Sequence, residues 1–145
     1  MEKYTIEEIY YNLDVAKDCL SENFISLVCK ALTYLDKKIV DKVSDKVLFF
    51  SSDFIRETTA CHLILNSYAK TRRRIIFLSD NLFEKPEQEA IQIILQEVAY
   101  FYLNHKQCFD LSEEEINKQK QEAETLALKW LNKKYRRRFI FFFLN

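Results

Sequence analysis

The segment that most constrains this chain is Ile91–Lys106, IQIILQEVAYFYLNHK. Wound as a helix at 100° per residue, it places Gln92, Gln96, Glu97, Tyr100 and Asn104 on one arc, with Glu89 just upstream. Ile91, Ile94, Leu95, Val98, Ala99, Phe101, Tyr102 and Leu103 cover the rest of the circle. A helix apolar over most of its circumference is a core helix. Its polar stripe must then face a cleft or other polar groups, because unpaired buried polar groups are costly. The remainder of the chain is expected to pack around this helix.

The other elements follow from periodicity and punctuation. Thr5-x-x-Glu8 is a capping box, followed by Ile6, Ile9, Leu13, Ala16 and Leu20 at helical spacing. Ser21-Glu22-Asn23 breaks or re-caps that helix, and Phe24, Leu27, Val28, Ala31, Leu32 and Leu35 extend the pattern to about Lys37. Three β-rich runs come next, Lys46–Ser52, Thr58–Asn66 and Arg73–Ser79, the last two joined by a polar connection that predicts a hairpin. Three short strands need a helix against one face. Pro86 then opens the central helix, with Glu84, Glu87 and Glu89 at its positive end, and the helix is expected to run to about Lys106. Ser112-x-x-Glu115 is a second capping box, and Ile116, Ala123, Leu126, Ala127, Trp130 and Leu131 form the stripe of a final long helix. The expected fold is α+β in a single domain, 1–145. It comprises an N-terminal helical part (1–43), a short sheet (46–79), a two-helix part (86–136) and an apolar tail (139–145).

Composition narrows the function. Lys+Arg and Asp+Glu balance at 22 each, which argues against a general polyanion binder and predicts no specific nucleic acid. Glycine is absent, so there is no phosphate-cradling loop, and left-handed positions fall to residues such as Asn66, Asn81 and Asn104. Cys19, Cys29, Cys61 and Cys108 show no CxxC spacing and give a four-cysteine zinc site poor support, and the opening MEKYTIEEIY is acidic and amphipathic, unlike a secretory leader. Reduced thiols and a cytoplasmic location are expected. No apolar run reaches the ~18–20 residues needed to span a bilayer.

Two basic clusters stand out. Arg72–Arg74 reads as loop and strand edge, where charge discourages edge pairing. Lys133–Arg138 (KKYRRR) reads as the solvated end of the last helix, set against its dipole. The FIFFFL that follows is expected to fold onto the core or to bury in a second copy, giving a homo-oligomer.

With helix, short sheet and two late helices in that order, Gln96-Glu97-Val98-Ala99-Tyr100 resembles the active-site helix of the HEXXH zinc peptidases, the zincins. It looks most like the small gluzincin, ImmA/IrrE-type kind. ILQEVAYFYLNHK is similar to the family's ILHEIAHxYLxHK with both zinc histidines replaced. The resemblance covers roughly Val47 to Leu131 in element order. It implies that Gln96 and Tyr100 stand at the two histidine positions and Glu97 at the general-base position. Aligning Ala123 with an alanine of the family's following helix, E-x-x-A-[ND]-x-F-A, puts Lys120 at the third ligand position and Glu124 at the neighbouring Asn/Asp.

Catalytic zinc needs three protein ligands from His, Glu, Asp or Cys and an open position. A Gln amide, a neutral Tyr phenol and a Lys ammonium all disfavour it. The resemblance therefore implies a zincin architecture without zincin catalysis, no cofactor, and a role in binding a protein partner. Zinc enters only under the alternative of an active metallohydrolase with a changed ligand set. A further alternative is a basic-tail module for nucleic acid or membrane. His105, about 180° round the helix from Gln96, is expected to be a core or helix-end residue, and His62 a structural strand residue. Glu122 and Glu124 would suit Mg²⁺ or Ca²⁺ more than Zn²⁺. Lys120 falls on the apolar stripe of the last helix, and its ammonium is expected to fill the metal's place and pair with Glu97.

Overall fold

The computed structural model describes residues 2–13, 20–51, 59–65, 73–106, 109 and 111–143, with the helix backbone alone from residue 133. The architecture is α+β: α1 (Ile6–Asn12), α2 (Glu22–Leu32), α3 (Lys37–Lys46), β1 (Val47–Ser51), β2 (Ala60–Leu65), β3 (Arg73–Leu78), a 3₁₀ turn (Asp80–Glu84), α4 (Glu87–Tyr102) and α5 (Glu113–Phe143). Thr5 and Glu8 close the capping box on α1, each side chain bonded to the other's backbone N–H. Ser112 caps α5 through the Glu115 amide. The connection between the second and third strands, 66–72, lies outside the described residues.

Helical boundaries differ from the sequence reading, and α4 ends at Tyr102 instead of near Lys106. A separate helix, α3, begins after Asp36 and buries Ile39, Val40 and Val43 on one face, where the sequence pattern had been expected to fade. Its apolar residues fall at i, i+1 and i+4, which is helical spacing. At the other end, α5 continues without a break to Phe143, so residues 139–143 prolong the helix instead of forming a distinct tail.

The three strands lie in the order β1-β3-β2, with β1 parallel and β2 antiparallel to β3. The register pairs Val47, Phe49 and Ser51 with Arg74, Ile76 and Leu78, and Ile64, His62 and Ala60 with the same three residues. Paired residues share a face, so this set points one way and carries the buried Val47, Phe49, Ile76 and Leu78 into the core. That face meets α4, whose Ala90, Ile91, Ile94, Leu95, Val98 and Ala99 are buried. Phe24, Val28, Leu32 and Leu35 close the core from the α2 side, and Ala123, Ala127, Trp130 and Leu131 from α5. No helix among the described residues is long and apolar enough to cross a membrane.

Arg74 corrects the reading of the Arg72–Arg74 cluster as a strand edge. β3 is the central strand, and Arg74 points inward at 4% exposure. The charge is tolerated there because Nη2 donates to the His105 carbonyl at 2.7 Å and the Glu97 carboxylate lies within electrostatic reach.

Candidate functional site

The polar stripe of α4 is answered chiefly by the sheet. His62 stands on β2 in register with Ile76, on the core-facing side, directly against α4. Its Nδ1 donates to Glu97 Oε2 at 2.8 Å, and both side chains are buried. An ionised carboxylate only accepts, so the pair fixes the His62 tautomer with the proton on Nδ1 whenever the ring is neutral.

Tyr100, one turn after Glu97, lies between two imidazoles. Its ring centroid is 4.9 Å from that of His62 and 5.5 Å from that of His105, the second contact edge-on. His105 arrives there by a turn. α4 ends at Tyr102, Asn104 takes the left-handed conformation at φ 54°, and the His105 amide donates to the Tyr100 carbonyl at 3.0 Å. His105 Nε2 then donates to Glu122 of α5 at 2.9 Å. The neighbouring residue is clamped too. The Lys106 amide donates to Gln119 Oε1 at 2.8 Å, and Gln119 Nε2 returns a bond to the Lys106 carbonyl at 3.2 Å.

Burial alone would depress the Arg74 guanidinium strongly. Glu97 opposes that loss, and the group sits at about 10, so it is a cation at neutral pH. The same carboxylate helps raise the Cys61 thiol, although burial is the larger cause. Glu97 is thus the electrostatic centre of the site, facing one permanent cation and one imidazole.

Of the sequence-singled residues, Glu97 and Tyr100 lie within this cluster, and Gln96 is half-buried beside them on α4. Lys120 and Glu124 are exposed on α5, and the expected Lys120–Glu97 pair is not formed. The physical reason is competition for the carboxylate. His62 already occupies it, and an ammonium with no acceptor inside is better left in water. The α5 carboxylate that reaches the cluster is Glu122, half-exposed and bonded to His105.

Both histidines join the cluster, although the sequence reading set them aside as structural. His105 is buried at the helix end, as expected, but beside Tyr100 and not on the far side of α4. The left-handed Asn104 was the available signal for that turn. His62 could be placed only by the strand register. Among the described residues no three His, Cys, Asp or Glu side chains are arranged to hold a metal ion.

The fold is α+β with a polar cluster built on its central helix. Compared with family models, curated proteins and solved structures, the chain matches none of them.

Proposed function

We propose that this chain is a zincin-like domain in which the catalytic helix has become a structural one, and that it acts in the cytoplasm by binding protein. The observation that carries the reading is the His62–Glu97 contact at 2.8 Å. At the position where a peptidase glutamate must hold a metal-activated water, Glu97 is bonded to a side chain from the sheet. A general base has to be within hydrogen-bond reach of the proton it removes. Here that reach is taken by an imidazole.

The neighbouring positions support the same reading. Gln96 and Tyr100 offer an amide and a phenol where the family has imidazoles, and Tyr100 packs its ring between His62 and His105. Lys120 stays in solvent. Without groups suited to hold zinc at these positions, such a domain acts through its surface. Contacts available for that include the basic and aromatic end of the chain, which makes a second copy one of its partners.

Metal content tests the proposal. Purified protein incubated with zinc and dialysed should retain far less than one equivalent, and Glu97→Gln should leave that value unchanged. One tightly held zinc per chain would overturn the reading in favour of a metallohydrolase with an altered ligand set.

A further inference from the structure

A second feature belongs to the two N-terminal helices. α1 and α2 enclose an open groove of about 550 Å³, lined by Ile6, Tyr10, Tyr11 and Ile25 with Glu7 and Glu22 at its sides. Ile6 is 47% and Tyr11 72% exposed, so the groove offers aromatic and aliphatic surface to solvent. Among the described residues its charged lining is Glu7 and Glu22, both negative.

The same chain carries the complement. α5 is 31 residues long, roughly 46 Å at 1.5 Å per residue, whereas a small domain is about 30 Å across. The helix backbone runs on from Leu131, which is buried, through residues 132–143, roughly 18 Å of helix. That extension reads NKKYRRRFIFFF. The run 139–143 is longer than one helical turn and wholly apolar, so it has no polar face to turn to water. Directly before it stand Lys133, Lys134 and Arg136–Arg138, opposite in sign to the groove.

We infer that the α1–α2 groove is the docking site for the end of α5 from a second copy of this chain. The inference rests on the proposal that the protein acts by binding, and it names the surface and the partner. Apolar-on-apolar contact supplies the attraction, and the basic run against Glu7 and Glu22 fixes direction and register. With one groove and one helix end per copy, reciprocal exchange fills both grooves in a two-fold dimer, whereas one-way docking would leave a groove and an end open to further copies.

Paired charge reversals test it. One variant carries Arg136→Glu, Arg137→Glu and Arg138→Glu; the other carries Glu7→Arg and Glu22→Arg. Glu7 and Glu22 are exposed, and circular dichroism with urea titration checks that each variant folds. By sedimentation velocity, wild type should be dimeric, and each variant alone should dissociate with a constant raised on the order of tenfold or more. Mixing the two variants should restore a dimer containing one of each, since the reversed tail meets the reversed groove and the native tail meets the native groove.

A wild type that stays monomeric at about 100 μM overturns the inference, whether its helix end docks in its own groove or binds anionic vesicles instead. Variants that each still dimerise as tightly as wild type overturn it too, as does a mixture that yields no heterodimer. None of these results touches the zinc measurement, so the dimer can fail while the metal-free reading stands, and the reverse.

Discussion

Glu97 and His62 meet at 2.8 Å across 35 residues of sequence, and that contact joins the central helix to an edge strand, β2. Both side chains are buried, so removing one partner strands the other in a low-dielectric setting. Glu97→Ala and His62→Ala are each expected to lose about 3 kcal/mol of stability in urea titrations. The double variant should lose less than the sum, by about 1–3 kcal/mol, because the two share one interaction. Strict additivity would show that the pair does not hold the strand to the helix.

Cys61 reports on the same carboxylate. Burial and the Glu97 charge both raise its thiol above the ordinary value, so at pH 8 its thiolate fraction should be low. Iodoacetamide labelling followed by peptide mass spectrometry should find Cys61 slower than the same cysteine in urea-unfolded chain. Glu97→Gln should accelerate it. In stability terms, a thiol whose folded value is raised contributes fully below its unfolded value and loses that contribution as pH rises toward the folded one. Labelling that is no slower in the folded protein would refute the assigned environment.

The sequence made the helices and strands legible because each carries a local signal. The Thr5–Glu8 box, the β-rich runs and the apolar periodicity of α4 and α5 all act over a few residues. What it concealed is set by pairing at a distance. Arg74 looked like edge charge because nothing local says that β3 is the middle strand. His62 faces Glu97 only because β2 pairs antiparallel with β3 in that register, and a slip of one residue would turn it to the other face. Lys120 lies on the apolar stripe by helical angle alone, but the outcome was decided by His62, which the strand register sets against Glu97. α3 went unread because its short apolar pattern runs directly into the β-rich stretch at Val47.

Asn104 is the hinge that brings His105 back to Tyr100. Its φ of 54° is the region that asparagine tolerates and β-branched residues do not. Asn104→Gly is expected to leave stability within about 0.5 kcal/mol of wild type, whereas Asn104→Val should lose about 1–2 kcal/mol. The valine variant should also disturb the Arg74 bond to the His105 carbonyl, which depends on the same turn. Equal stability of the two variants would mean that the turn does not constrain the site.

The seam between α4 and α5 is built to bring the helices close, and that closeness is what lets Glu122 and Gln119 reach the turn after α4. Ala123 and Ala127 are fully buried in it, and Trp130 meets Tyr102 edge-on with ring centroids 5.9 Å apart. Small residues at the crossing and one large ring at its end predict opposite responses to volume. Ala123→Leu forces extra methylenes into filled space and should cost about 1–3 kcal/mol. Trp130→Ala leaves a cavity and should cost about 3–5 kcal/mol. The two also separate in their effect on the site. Overpacking at residue 123, next to Glu122, should break the His105–Glu122 bond and shift the His105 imidazole signals in NMR spectra. The cavity at 130, two turns further along, should leave those signals in place. A His105 spectrum that responds equally to both substitutions would show that the bond depends on overall stability and not on the spacing of the helices.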